Sequence, residues 1–166
     1  MERLVTLGAA DAGEVLTLQR AAYVTEAQLH EDLSLPALRQ SLSDLSAELD
    51  RSDVLAIGWR AENGRLLAAL RAIVRADGAN AAEIGRLAVV PDGQGQGLGT
   101  RLLSALEERL PAAVAELRLY TGERSEANLR LYRRLGYVET HRTATPAGYA
   151  LVHLSKPRAA VSQISG

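Results

Sequence analysis

The chain contains no cysteine and no phenylalanine. Without cysteine there is no disulfide framework, no thiolate metal site and no cysteine nucleophile. Without phenylalanine, and with aromatics at 4%, the core is built from Leu, Val, Ile and Ala, which dominate a 47% hydrophobic content. Lysine is nearly missing too: of 19 basic residues, only Lys156 is not arginine. A net charge of -1 leaves no broad basic surface and argues against a nucleic-acid binder. The three histidines, His30, His141 and His153, lie far apart and in no metal-ligand spacing, so no metal site is expected. The first residues lack the basic start and long apolar core of a secretory leader, and no apolar stretch is long enough to span a membrane. A soluble cytoplasmic protein is the expectation. A length of 166 residues fits one domain.

What is present alternates between two periodicities. Residues 3–7 read as a first strand. Residues 11–26 read as a helix, with Val15, Leu18 and Ala22 at helical spacing and Asp11 as its N-cap. Residues 34–49 read as a second helix, with Ser34 as cap, Pro36 in the first turn and a stripe of Leu38, Leu42, Leu45 and Leu49. Residues 53–61 and 65–75 form a hairpin around Glu62-Asn63-Gly64, since Asn-Gly is a strong turn signal. Residues 82–90 are a further strand, ended by Pro91. A glycine-rich loop, residues 92–99, leads into a helix with Leu102, Leu103, Leu106 and Leu110 on one face and Pro111 as its stop. Residues 114–120 read as a strand, and 125–135 as a helix ended by Gly136. Strands at 137–142 and 149–154 follow. Residues 1–156 are expected to form one mixed α/β domain, and 157–166 a disordered tail.

The loop carries the chemistry. The first turn of a helix presents unpaired N–H groups and the positive end of a dipole, and glycines let an anion approach them closely. The helix after this loop has no Ser or Thr immediately before it, so either a phosphate or Asp92 is expected to serve as its cap. The dinucleotide pattern G-x-G-x-x-G fails, because Leu98 and Thr100 stand where glycine is needed. The P-loop pattern fails because no lysine follows the glycines, so NAD and ATP are disfavoured. Gln94-Gly95-Gln96-Gly97-Leu98-Gly99 does fit Q/R-x-x-G-x-G/A.

This hexapeptide resembles the acetyl-CoA loop of the GNAT superfamily of acyl-CoA N-acyltransferases. The preceding Leu87-Ala88-Val89-Val90-Pro91 resembles that family's fourth strand, and Leu131-Tyr132-Arg133-Arg134-Leu135-Gly136-Tyr137 its late helix end. The order of elements from residue 3 to residue 155 also agrees. The resemblance implies a single mixed, largely antiparallel sheet flanked by helices, with splayed fourth and fifth strands. It implies an N-acetyltransferase moving an acetyl group from acetyl-CoA to a primary amine by direct transfer in a ternary complex, which the lack of cysteine suits. A non-catalytic acyl-CoA sensor of the same fold is the alternative.

By the same resemblance, the backbone of Leu87, Ala88 and Val89 pairs with the pantetheine arm. The N–H groups of the loop, with Gln94, Gly95, Gln96, Gly97, Leu98, Gly99 and Thr100 as its members, hold the pyrophosphate. A backbone N–H near Val89 faces the thioester oxygen and stabilises developing negative charge. Tyr132 matches the usual general acid, the alternative being a packed helix aromatic. Glu83 at the start of the fourth strand is either the general base or a solvated strand-end carboxylate. The family often carries Asn seven residues before the tyrosine. Here Ser125 stands there, with Asn128 one turn later, and either is expected to touch the coenzyme. The arginines 124, 130, 133 and 134 include a possible phosphate partner within a solvated face.

The first two helices and the last hairpin wall the acceptor site in such proteins. Residues 26–50 carry Glu26, Glu31, Asp32, Asp44, Glu48 and Asp50 against Arg39, either a lure for a cationic amine or an ordinary polar surface. Tyr23 and His30 flank this region as pocket-lining candidates. The amine stays open between a small molecule and a peptide, and a homodimer is a further expectation from the resemblance.

Overall fold

A computed structural model describes residues 2–75 and 80–158. Strand β1 (Arg3–Thr6) leads through a 3-10 turn into α1 (Ala12–His30), α2 (Pro36–Arg39) and α3 (Leu42–Leu49). Then come β2 (Val54–Arg60), β3 (Leu66–Val74), β4 (Ala81–Val89), α4 (Leu98–Arg109), β5 (Glu116–Gly122), α5 (Glu126–Arg134), β6 (Val138–Ala144) and β7 (Ala150–Pro157). The sheet order is β1-β2-β3-β4-β5-β7-β6, antiparallel except for the β4–β5 pair. The expected single mixed sheet is present.

Alternation along the central strands sorts the core into two layers. Ile57, Ala68 and Leu70 face α4 and α5, together with Leu102, Leu103 and Leu106. Ala56, Ala69 and Ala88 face α1 and α3, together with Val15, Leu16, Leu45 and Leu49. Each of the three α4 leucines is fully buried, which contributes roughly 2 kcal/mol apiece. Buried alanines at 56, 68, 69, 72, 81, 82 and 88 take the place of bulkier aromatics in the sheet.

Several local expectations needed correction. The expected helix over 34–49 is two helices. Gln40 is extended (ψ 131°), and the Ser41 hydroxyl accepts a hydrogen bond from Asp44 N–H at 3.1 Å, starting α3 afresh. The Leu stripe breaks there: Leu45 and Leu49 are buried, but Leu42 is exposed. Ser34 caps nothing, because Leu35 holds the N-cap position of α2. Asp11 does not cap α1 with its side chain; its carboxylate accepts from Gly8 N–H and from Arg60. Helix α1 runs to His30, beyond the expected end, and closes on Glu31 in the left-handed region (φ 49°). The Asn63-Gly64 turn forms as expected, with Gly64 at φ 89° and Asn63 Oδ1 accepting from Arg65 N–H. Pro157 still belongs to β7, and residues 159–166 of the expected tail lie outside the described residues.

The polar contacts under the helices tie α1, α2 and α3 to the sheet. Arg71 on β3 is buried. It donates to Gln19 at 3.0 Å and Gln40 at 3.1 Å, and pairs with Glu48 at 2.7 Å. Burial pulls its guanidinium below the usual arginine range.

Candidate active site

Strands β4 and β5 pair over only three residues, Ala81 to Glu83 against Glu116 to Arg118. Beyond that point they diverge, as expected of splayed fourth and fifth strands. On its other edge β4 stays bound to β3, where Val90 N–H reaches Leu67 O at 2.9 Å. Alternation then turns the Val89 N–H toward the diverging gap. Between Ala69 and Arg71, β3 advances two residues while β4 advances three, from Gly85 to Ala88. This β-bulge places Arg86 at φ 58°, a conformation rare for a non-glycine residue.

At the wide end of the gap stands the start of α4. Its N-cap is Gly97 at φ 77°, with no side-chain cap. The first helical bond runs from Arg101 N–H to Gly97 O at 3.1 Å, so the N–H groups of Leu98, Gly99 and Thr100 lack helical partners. Asp92 is not the cap: it is held by Arg65 through two bonds of 2.8 Å, and its carboxyl falls to about 2. Gly95 is also left-handed (φ 79°), and a Cβ at Gly95 or Gly97 would meet nothing within 4 Å. The glycines are needed there for backbone conformation and for access. Thr100 accepts a 3.3 Å bond from Arg134, which brings one late-helix cation to this end. An uncapped, acid-free helix start beside an unpaired strand edge fits the anionic head and extended arm of an acyl-CoA.

A cavity of about 750 Å³ fills the gap and extends under α1, α2 and the β6–β7 turn. Leu87 and Asn128 line it, as do Tyr132, Glu26, Tyr23 and His30. Tyr132 is buried, and burial, reinforced by the nearby Tyr23 and Glu26, pushes its phenol well above the usual tyrosine range. Among the described residues its hydroxyl makes no hydrogen bond. Ser125 is at the N-cap position of α5, but its hydroxyl donates to Glu26. Asn128 reaches Glu26 at 3.5 Å and Thr121 at 3.4 Å. Both members of the expected coenzyme-contacting pair therefore converge on one carboxylate from α1. A carboxylate has about four acceptor sites, so Glu26 keeps capacity for a further donor.

Glu83 is not brought to this place. It sits on the closed, paired end of β4, outside the cavity lining, with Arg75 at 2.8 Å. Its distance from the site follows from where β4 and β5 stop pairing. Ala88 is buried against α1, while Leu87 reaches the cavity. Tyr23 and His30 line the cavity as expected, and Glu26, expected only as one acid of a charged stretch, lines it too; Arg86 is a lining residue that the sequence does not announce. A positive-φ arginine has no sequence signal.

His30 is fixed at both ring nitrogens. Nδ1 lies 2.9 Å from Glu26 O, and Nε2 accepts from Arg124 N–H at 3.0 Å, which sets the Nδ1–H tautomer. Its ring packs on Tyr149 at 4.5 Å. Tyr149 donates to Asp32 at 2.7 Å, which ties the β6–β7 turn to the end of α1. Burial, with Asp32 beside it, pushes Tyr149 up to about 12. A methyl built on Gly122 would come within 2.2 Å of His30 Nε2 and 2.4 Å of its Cε1. Gly122→Ala is therefore expected to displace His30 and lower the melting temperature by about 5 °C, an overpacking effect of about 2 kcal/mol. Thermal denaturation checks this, and the double variant with His30→Ala is expected to regain part of the loss.

The family model of the GNAT acetyltransferases matches residues 15–137. The chain belongs to that family. Its fold is that of the ribosomal-protein-S18-alanine N-acetyltransferase from Escherichia coli, at TM-score 0.76 and 22% identity, covering 99% of this chain and 98% of that one. It is equally similar to the PaiA N-acetyltransferase from Thermoplasma acidophilum, solved with coenzyme A, at TM-score 0.76 and 19% identity over 95% and 99% of the two chains. Spermidine N-acetyltransferase from Vibrio cholerae, solved with coenzyme A and spermine, aligns at TM-score 0.73 and 13% identity over 96% of each chain. No curated protein matches the sequence significantly. Among the described residues no helix is long and apolar enough to cross a membrane.

Proposed function

We propose that this protein is an N-acetyltransferase that moves the acetyl group of acetyl-CoA to a primary amine within a ternary complex. The observation that carries this reading is one continuous cavity. It joins the unpaired β4 edge and the side chains of Tyr132 and Glu26, beside the uncapped start of α4. The neighbours named above that act on amines support the acceptor class. Acetyl-CoA supplies the activated acyl group. Residues Gly95 to Thr100 hold its pyrophosphate, with Gln94 opening the loop. Leu87, Ala88 and Val89 lend backbone groups to its arm, and the Val89 N–H polarises the thioester oxygen. Ser125 and Asn128 act one step back, by fixing Glu26.

Glu26 takes the place expected of Glu83. A primary amine is mostly protonated at neutral pH, and a carboxylate in the cavity attracts the ammonium and accepts its proton as attack begins. Tyr132 donates a proton to the departing sulfur. Because its pKa is raised, the phenol stays protonated through neutral and mildly alkaline pH, so its titration sets no alkaline limit there. A free thiol has a pKa of about 8.5, so above that value the thiolate leaves without help. Tyr132→Phe is therefore expected to lower kcat about a hundredfold at pH 7 and by less at higher pH. A pH–rate profile of both proteins checks this; a deficit that is constant with pH would remove Tyr132 as the acid.

The reading itself is tested by calorimetric titration with acetyl-CoA, NAD and ATP, followed by an amine screen read out as free thiol. Micromolar binding of acetyl-CoA alone, with turnover of an amine, is expected. Binding without turnover of any amine would favour an acyl-CoA sensor, and no binding would overturn the reading.

A further inference from the structure

The charged groups lining the cavity differ in how they are satisfied. Glu26 is bonded to Ser125 and Asn128, and Asp32 to the Tyr149 hydroxyl at 2.7 Å and the Ser34 N–H at 2.9 Å. Arg39 and Arg86 line the same cavity, and among the described residues neither guanidinium forms an ion pair or a hydrogen bond. Several other arginines are held by carboxylates: Arg60 pairs with Asp11 and Glu14, Arg65 with Asp92, Arg71 with Glu48 and Arg142 with Glu139.

The two unpaired cations are also grouped. Both line a second recess of about 460 Å³ that shares Ser34 and Pro36 with the main cavity. Asp44 adds one opposing charge to that recess and pairs with neither guanidinium. Arg86 is half-buried, stands on the strained bulge of β4 and is close enough to Arg71 to add to its positive field. A guanidinium presents a planar fork of donors that matches a carboxylate or phosphate two bonds at a time.

Resting on the acetyltransferase reading above, we propose that the acceptor is an amine that also carries an oxyanion. Glu26 faces the amine, and Arg39 and Arg86 hold the anionic group at the α2 side of the cavity. An all-cationic polyamine is repelled by the same pair. Arg39 and Arg86 are specificity residues; neither takes part in acyl transfer.

Matched acceptors test this. Wild type, Arg39→Gln and Arg86→Gln are assayed by free thiol release with γ-aminobutyrate, O-phosphoethanolamine, n-butylamine and spermidine. The first two separate a carboxylate from a phosphate. At least one of them is expected to exceed n-butylamine in kcat/KM by about tenfold to a hundredfold. That ratio is expected to collapse toward one in both arginine variants. Parity with n-butylamine, preference for spermidine, or a ratio that survives both substitutions would overturn the proposal. So would weakened acetyl-CoA affinity in the variants, which would assign the arginines to the donor. If no amine is turned over, the acetyltransferase reading fails, and calorimetry of coenzyme A-loaded protein with the four compounds still decides the inference. Tighter binding of an anionic amine by wild type than by Arg86→Gln upholds it, and equal or undetectable binding of all four overturns it.

Discussion

Gly97→Glu is expected to abolish acetyl-CoA binding, raising the dissociation constant by a hundredfold or more. Two causes act together. Gly97 holds φ 77° at the N-cap of α4, a conformation that costs a side-chain-bearing residue of order 1 kcal/mol or more. The new carboxylate would also stand at the partly positive helix start, where an anionic pyrophosphate is proposed to bind, and compete for the same N–H groups. Gly97→Asn separates the causes, because asparagine tolerates the left-handed region without adding charge. Calorimetric titration of both variants, with circular dichroism as a folding control, is the measurement. The expected order of affinity is wild type, then Asn, then Glu. Unchanged affinity in a folded Glu variant would remove the loop as the coenzyme site.

Glu26→Gln carries the second large effect, a loss in kcat/KM of about a hundredfold to a thousandfold at pH 7. The amide keeps the size of the side chain and an oxygen for the Ser125 hydroxyl, so a large drop in melting temperature is not expected. The deficit is expected to shrink as pH rises toward the amine's own pKa of about 10, where solvent supplies the neutral nucleophile. Glu83→Gln is the control, expected to stay within about twofold of wild type because its side chain is held by Arg75 at an exposed strand end. Reversal of these two results would restore Glu83 as the base.

The different placements of Glu26 and Glu83 mark where the sequence is informative. Features set by neighbours in the chain were legible. Asn63-Gly64 made its hairpin, the α4 leucines made one buried face, and the run of glycines made an uncapped helix start. Features set by distant partners were not. The length over which β4 and β5 pair decides that Glu83 lies outside the cavity, and no local pattern encodes that length. Glu26 looks like any acid on an amphipathic helix until Ser125 and Asn128 are folded against it from α5. Ser41 caps α3 just where Gln40 leaves the helical conformation, and the Gln40 side chain bonds to Arg71, a partner on distant β3. Arg86 owes its position to a bulge, which depends on register with β3 rather than on its own neighbours.

The three residue pairs joining β4 to β5 also have a mechanical meaning. Strands β1 to β4 form one leaf of the sheet and β5, β7 and β6 the other, with a short spine at Ala81 to Glu83. Leaves pinned at one end can breathe at the other without breaking the spine. Amide exchange along the free margin of β4 is then governed by local opening, at a small fraction of the global unfolding free energy. A molecule that bonds along this margin fastens the leaves together, and its own binding energy adds to the stability of the whole chain by mass action.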